Sequence, residues 1–300
     1  MANNNLTSSN MNYIFNVEYF FELRTKRLDK LADVKFQECN EKIENFKFNK
    51  CNPEKTFETL EGYQSFSLYT LYPGLLVGTG NLHDIANKES IKLGFTFDYV
   101  TGLPYIPGSS VKGMLRSCFK HPELIESIIN KTGVNVEELK KNMFEHGDIF
   151  LDAFPVDGGK ILESDHLAPH GKDETISPIP LRMIKVGPGV KFVFSFVFSD
   201  YIENKNVILT AAEKLNLCKE LIKLLGVGAK TNTGYGRFTD KAPVVKPVNQ
   251  TAQTCNTKQT QKTSPKHVCA NCGADVSINP KTNKYNKYCQ KCYREMNNGK

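Results

Sequence analysis

The chain has 300 residues, 40% of them hydrophobic, and a formal net charge of +7, enough for one large or two ordinary domains with extensions. No run of about eighteen apolar residues occurs, so no membrane span is expected, and nine cysteines behind a start (Met1-Ala2-Asn3-Asn4-Asn5-Leu6) without a secretion-signal layout read as a reducing cytoplasm, not a disulfide scaffold. Residues 241–300 hold eleven Lys/Arg against two Asp/Glu, whereas residues 1–240 hold 28 against 30, so a polyanionic partner suits the tail, and any such site in the main body must be local.

Residues 1–16 are rich in Asn, a composition that predicts disorder. From Val17 to about Phe46 a helical period runs through Phe20, Phe21, Leu28, Leu31, Val34 and Ile43. Residues 63–77 alternate as a strand and close at Pro73-Gly74. A second glycine turn, Gly78-Thr79-Gly80-Asn81, follows, and 91–98 predicts another strand. In Tyr105-Ile106-Pro107-Gly108-Ser109-Ser110-Val111-Lys112-Gly113-Met114-Leu115-Arg116 a Pro-Gly turn leads into a helix that a serine can cap. The start of such a helix, with Ser109, Ser110 and Lys112, is a natural seat for phosphate. Lys112 and Arg116 lie four apart on one face.

Short helices are predicted at 122–130 and 135–144, and a buried strand at 147–155. Residues 162–182 read as irregular and polar. Asp165, His166, His170 and Asp173 fall there without the spacing of a catalytic motif. The segment 190–198, apolar on both faces, predicts a central strand. A helix from about Asn206, with Leu215, Cys218, Leu221, Ile222 and Leu225 at helical spacing, comes next.

That helix ends at Gly226-Val227-Gly228-Ala229-Lys230-Thr231-Asn232-Thr233-Gly234-Tyr235-Gly236-Arg237-Phe238. Such a loop brings bare backbone close to a partner, its N–H groups can form an anion-binding concavity, and Lys230 and Arg237 suit phosphate. A P-loop would follow a strand, open a helix and end in Gly-Lys-Ser/Thr, whereas Ala229 precedes Lys230 here. A dinucleotide fingerprint fails too, because Thr231 occupies the third glycine position.

Beyond Asp240 the composition changes. Residues 241–265 form a Lys/Pro/Thr/Gln linker. Cys269-Ala270-Asn271-Cys272 and Cys289-Gln290-Lys291-Cys292 are two Cys-x-x-Cys knuckles with the spacing of a four-thiolate structural Zn2+ ribbon over 266–300. Too few apolar residues surround them for an independent core, so metal binding would supply the folding energy. Lys281, Lys284, Lys287, Lys291 and Arg294, interleaved with Tyr285, Tyr288 and Tyr293, suit single-stranded RNA.

The glycine-rich loop and the 106–116 segment together resemble the two hallmarks of the RAMP superfamily of CRISPR proteins. Gly147-Asp148, Asp152-Ala153, the Asp165 to His170 segment and Pro178-Ile179-Pro180 are most similar to the sixth-subunit family of the Cmr (type III-B) effector complexes. The resemblance covers about 60–240 and leaves the ribbon unexplained. It implies an α+β fold: a ferredoxin-like (RRM-type) core over 61–240 with helical insertions, preceded by a helical extension over 1–60. It also implies a non-catalytic RNA-binding subunit of a cytoplasmic antiviral complex. Its partners would be guide CRISPR RNA, target RNA and other Cmr subunits. Ser109, Ser110, Lys112, Arg116, Gly226, Gly228, Lys230, Thr231, Asn232, Thr233, Gly234, Gly236 and Arg237 would carry the RNA contacts, near the 3′ end of the guide. Two alternatives stay open: a type III-A (Csm) backbone subunit, and a metal-independent endoribonuclease using His166 or His170 with Tyr235 and Lys230.

Overall fold

The structure, a computed structural model, describes residues 9–20, 30–80, 87–167, 180–243 and the strand pairs 278–279 and 284–285. The chain divides into two compact units, 1–245 and 246–300.

In chain order the helices of the first unit are α1 (Met11–Tyr13, running on as a π turn through Ile14–Glu18), α2 (Lys30–Glu44), α3 (Pro53–Phe57), α4 (Gly108–Cys118), α5 (Pro122–Ile129), α6 (Val136–Glu145) and α7 (Ala211–Leu225). Its strands are β1 (Tyr63–Thr70), β2 (Ile149–Phe150), β3 (Phe154–Pro155), β4 (Leu162–Leu167), β5 (Leu181–Val186), β6 (Lys191–Val197), β7 (Tyr201–Glu203), β8 (Asn206–Leu209) and β9 (Phe238–Thr239). The second unit contributes β10 (Ile278–Asn279) and β11 (Lys284–Tyr285), an antiparallel pair.

The main sheet is antiparallel with the order β2–β6–β1–β9, and β3 lies beside β2 on the same edge of β6. β6 is its axis, as its unbroken apolar run predicts. β1 pairs along its whole length, from Tyr63 opposite Val197 to Tyr69 opposite Lys191. Because strand side chains alternate faces, Phe192, Phe194 and Phe196 project together. Phe66 stacks on Phe194 and Phe196 at 5.4 and 5.6 Å between ring centroids. Phe150 and Phe238 complete this aromatic layer edge-on. Helix α4 lays Val111, Leu115 and Cys118 into the same core, each large apolar side chain contributing about 1.5–3 kcal/mol.

The predicted 147–155 strand is broken in two. Between its halves Ala153 exchanges both backbone hydrogen bonds with Ile106 at 2.9 Å, which draws the chain off β6 so that residues 151–153 face only Phe194 and Ser195. The 91–98 segment makes isolated bridges instead of a ladder, Ile91 to Arg182 and Phe97 to Pro104, although Ile91, Phe95 and Phe97 are buried. Residues 162–182, expected to be irregular, contain a paired hairpin, with β4 against β5 in register from Leu162–Val186 to Leu167–Leu181. Asn206 begins β8, not a helix. The helix starts at Ala211 behind a capping box in which Thr210 and Glu213 satisfy each other's backbone N–H groups.

The expectation of disorder over 1–16 fails for its described part. Met11 and Phe15 are fully buried, and Ile14 and Tyr19 nearly so, in the same core as the sheet. Asn12 donates to the Phe97 carbonyl at 2.7 Å. Asparagine content misled because, among the described residues, Asn10 and Asn12 donate to the main-chain carbonyls of Tyr99, Val100 and Phe97. The helical extension therefore shares the core of the unit that follows it.

Candidate functional site

The two motif segments, more than a hundred residues apart in sequence, meet across a cleft of about 630 Å3. One wall is a face of α4 presenting Ser110, Gly113, Met114 and Ser117. The second is the glycine-rich loop from Gly226 to Ala229 with Thr231, Asn232 and Arg237. The third is the turn 77–80, with Ile106 beneath.

The loop holds its shape through main-chain contacts. The Val227 N–H donates to the Gly236 carbonyl at 2.9 Å, Ala229 to Leu76 at 2.8 Å, and Gly236 to Gly74 at 2.8 Å. Gly226 and Gly236 have φ of 76° and 66°, and a Cβ on Gly236 would overlap the Val227 carbonyl oxygen. Glycine is required there because two strands of backbone touch. Arg237 staples the loop from inside: its guanidinium donates to the carbonyls of Leu224 and, at 3.3 Å, Thr231. Lys230 takes the left-handed conformation (φ 59°) and Thr231–Thr233 follows as a 3-10 turn. Among the described residues, the N–H groups of Gly228, Lys230, Thr231 and Asn232 donate to no acceptor, and the Lys230 ammonium has no hydrogen bond or ion pair. Left-handed followed by right-handed backbone converges successive N–H groups into an anion-binding concavity.

Helix α4 is capped differently from the sequence expectation. Neither Ser109 nor Ser110 caps it. Asp152 accepts from the Gly108 N–H at 2.7 Å, which the break between β2 and β3 makes possible. A carboxylate thus occupies the positive end of the helix, and that end is not a vacant phosphate seat. Ser109 is exposed, and Ser110 faces the cleft. Lys112 and Arg116 lie on another face of the helix. The Lys112 ammonium sits 5.6 Å from the Phe150 ring centre, and Arg116 pairs with Glu145 at 3.1 Å. The structure therefore brings Ser110, Gly226, Gly228, Thr231, Asn232 and Arg237 together at the cleft. Lys230, Thr233, Gly234 and Gly236 are elsewhere in the loop, and Lys112 and Arg116 are turned away.

Behind the loop, Tyr235 donates to Asp165 on β4 at 2.7 Å, and Lys185 on β5 donates to the same carboxylate oxygen at 2.9 Å. Burial opposes ionisation of Asp165, but the hydrogen bonds from Lys185, Tyr235 and the His166 N–H outweigh it and hold the carboxyl below its usual range. Burial, then the bond to Asp165, pushes the Tyr235 hydroxyl well above the ordinary tyrosine value. His166 is exposed. His170 and Asp173 lie outside the described residues.

The Gly147-Asp148 motif has a structural role. Lys214, fully buried on α7, reaches Asp148 at 2.7 Å and Asn142 on α6 at 2.6 Å. The other Asp148 oxygen accepts from the Ser199 N–H at 3.1 Å.

Cys269, Cys272, Cys289 and Cys292 lie outside the described residues, so the expected zinc set is not described. Between the two knuckles, β10 and β11 form a two-stranded hairpin. Sequence reading missed Asp152 as the cap, and nothing local signals a partner 44 positions away. The Gly78-Thr79-Gly80-Asn81 turn is legible in the sequence, but only tertiary contacts bring Val77 to Gly80 to the cleft.

The model of the RAMP superfamily matches residues 67–239, from within β1 to the end of β9 and including every residue of the cleft. The CRISPR system CMR subunit Cmr6 of Saccharolobus solfataricus is 26% identical over 226 residues, 72% of this chain and 74% of that protein. A chain in the cryo-EM structure of the type III-B Cmr-beta complex bound to cognate target RNA aligns with a TM-score of 0.49 at 23% identity, over 71% of this chain and 75% of that one. The crystal structure of Cmr6 from Pyrococcus furiosus aligns with a TM-score of 0.37 at 23% identity, over 61% of this chain and 100% of that one. With the match spanning more than half of its length, the chain belongs to the RAMP superfamily.

Proposed function

We propose that this chain is a non-catalytic RNA-binding structural subunit of a type III-B (Cmr) CRISPR effector, acting in the cytoplasm and contacting the backbone of the guide RNA near its 3′ end. The observation that carries the reading is the cleft: the two hallmark segments close on one another and present unused N–H groups beside an unpaired lysine. Such groups bind phosphate whatever the sequence, as a guide of arbitrary sequence requires. The similarity to a Cmr6 subunit over most of both chains supports the placement in such a complex.

The chain visits the main sheet as β1, helices, β2 with β3, β6, α7 and β9, and the spatial order is β2–β6–β1–β9. This order supports reading the core as ferredoxin-like, with its β-α-β-β-α-β pattern and α5 and α6 as insertions. Among the described residues, no helix is long and apolar enough to cross a membrane. Against the endoribonuclease reading, the Tyr235 hydroxyl donates a hydrogen bond to the Asp165 carboxylate, which disfavours loss of the phenol proton and so a role as base.

The test is co-expression of the tagged chain with guide RNA and the other effector subunits. Guide-length RNA and subunits should co-purify. Lys230→Ala should weaken RNA binding and lower the slope of log affinity against log salt by about 0.7, the value for one lost phosphate contact on a single strand. Absence of both RNA and subunits from the purified material sinks the proposal. Discrete cleavage of repeat RNA in EDTA, lost in His166→Ala or His170→Ala, would favour the nuclease.

A further inference from the structure

Two glycines in the cleft are explained by nothing among the described residues. Gly113 lies in the interior of α4, and Gly80 in the turn opposite. Neither has a positive φ, and a Cβ added at either would meet nothing within 4 Å among the described residues. The other loop glycines are fixed by conformation or by touching backbone, but these two are not. Glycine inside a helix costs stability relative to alanine, and neither strain nor packing compensates for it here. The missing side chains leave room for something that approaches the main chain from outside.

The chemistry of the cleft narrows what approaches. Among the described residues the lining contains one charged group, Arg237, whose guanidinium is committed to the carbonyls of Leu224 and Thr231. Among the described residues, no carboxylate or histidine lines it. Apart from that guanidinium, which is bonded to carbonyls and not to a carboxylate, the described lining is uncharged. Ile106, Met114 and Val227 give it apolar surface, and Ser110, Ser117 and Asn232 give it hydrogen-bonding groups. Phosphate belongs outside, on the free N–H groups that run from Lys230 to Asn232. A flat, neutral group with polar edges fits inside, and the polarisable Met114 thioether is suited to an aromatic face.

We infer that the cleft takes one unpaired nucleoside of a bound RNA, its base and ribose passing over the bare backbone of Gly113 and Gly80 while a flanking phosphate sits on the 230–232 N–H groups. This rests on the RNA-binding reading above and adds that the cleft holds a base, not backbone alone.

The full chain is titrated with a single-stranded oligouridylate and with an abasic ribose-phosphate analogue of the same length. Wild type should prefer the oligouridylate. Gly113→Leu should lower its affinity about tenfold or more by filling the cleft and erase the preference. Gly80→Leu, outside any helix, should do the same and covers the case in which Gly113→Leu fails to fold. Gly113→Ala should raise the melting midpoint by about 2–4 °C while weakening the oligouridylate. Equal affinity of wild type for both probes, or a preference that survives both leucine variants, overturns the inference and leaves the RNA-binding reading intact. Wild-type RNA affinity in the leucine variants with loss of assembly into the effector also overturns it, in favour of a protein segment in the cleft. No affinity of wild type for either probe overturns the inference and the underlying reading together.

Discussion

The buried pair of Lys214 and Asp148 gives the sharpest test of the packing that supports the site. Both side chains are out of water, at 0% and 1% exposure. Lys214 sits one turn into α7, the helix that launches the glycine-rich loop, and its two acceptors come from α6 and from the residue before β2. Lys214→Met keeps much of the volume but removes the ammonium. Asp148 then keeps only Ser199 as donor for a carboxylate that cannot reach solvent. Breaking a buried pair on one side costs about 3–5 kcal/mol. At about 2–4 °C per kcal/mol for a unit of this size, the melting midpoint should fall by about 6–20 °C. The double variant Lys214→Met/Asp148→Asn removes the stranded charge and should recover a large part of that loss. Thermal melts of the full chain by circular dichroism measure both. A fall below about 1 kcal/mol for the single variant, or a double variant no more stable than the single, would refute the claim that the pair is desolvated and coupled.

Three further predictions concern other parts of the chain. Lys131 at 2.7 Å, and then the Thr210 N–H, hold the Glu213 carboxyl down to about 2. A depressed carboxyl stabilises the fold above its unfolded value and loses that contribution as pH falls through the folded one. Stability should therefore decline between about pH 4.5 and 2, and Glu213→Gln should flatten the decline. The effect is modest because Glu213 is 39% exposed, and an identical acid profile for the variant would exclude the assignment. For the tail, the purified chain should carry one Zn2+, released by chelator and lost in Cys272→Ser. Deleting 241–300 should lower the salt slope of RNA binding. Zinc absent from protein purified without chelator would remove the ribbon, and an unchanged slope would remove its RNA role.

The parts of the fold that could be read from sequence are those whose cause is local. The aromatic run of β6, the periodicity of α4 to α7 and the glycine clusters of the loop each act within a few residues. What was missed has its cause far away in the chain. β4 looked irregular because Glu163, Ser164, Asp165 and His166 are polar. Yet Asp165 meets Lys185 and Tyr235, and Ser164 accepts from Arg182. Met11, Ile14, Phe15 and Tyr19 did carry helical spacing, but the surrounding asparagines outweighed it. The Thr210 to Glu213 capping box was legible and overlooked. At the site, the meeting of loop and helix in one cleft was legible from the two motifs read together. The orientation of α4 was not, since only tertiary contacts decide that Ser110 and Gly113 face the loop while Lys112 and Arg116 face Phe150 and Glu145.

The manner in which the glycine-rich loop is fastened separates its geometry from its chemistry. Its ends are tied by main-chain bonds from Val227 to Gly236 and from Gly236 to Gly74, and its middle by Arg237 on the Leu224 and Thr231 carbonyls. The loop's side-chain bonds come from Arg237, from the Thr233 hydroxyl to the Lys230 carbonyl and from the Tyr235 hydroxyl to Asp165. The side chains of Ala229, Lys230 and Asn232 are therefore free of any duty in holding the loop's path. Selection can rewrite them one at a time, altering charge or hydrogen-bonding at the rim while the noose of backbone keeps its outline. A binding surface built this way can be retuned to a new stretch of polymer without first having to refold.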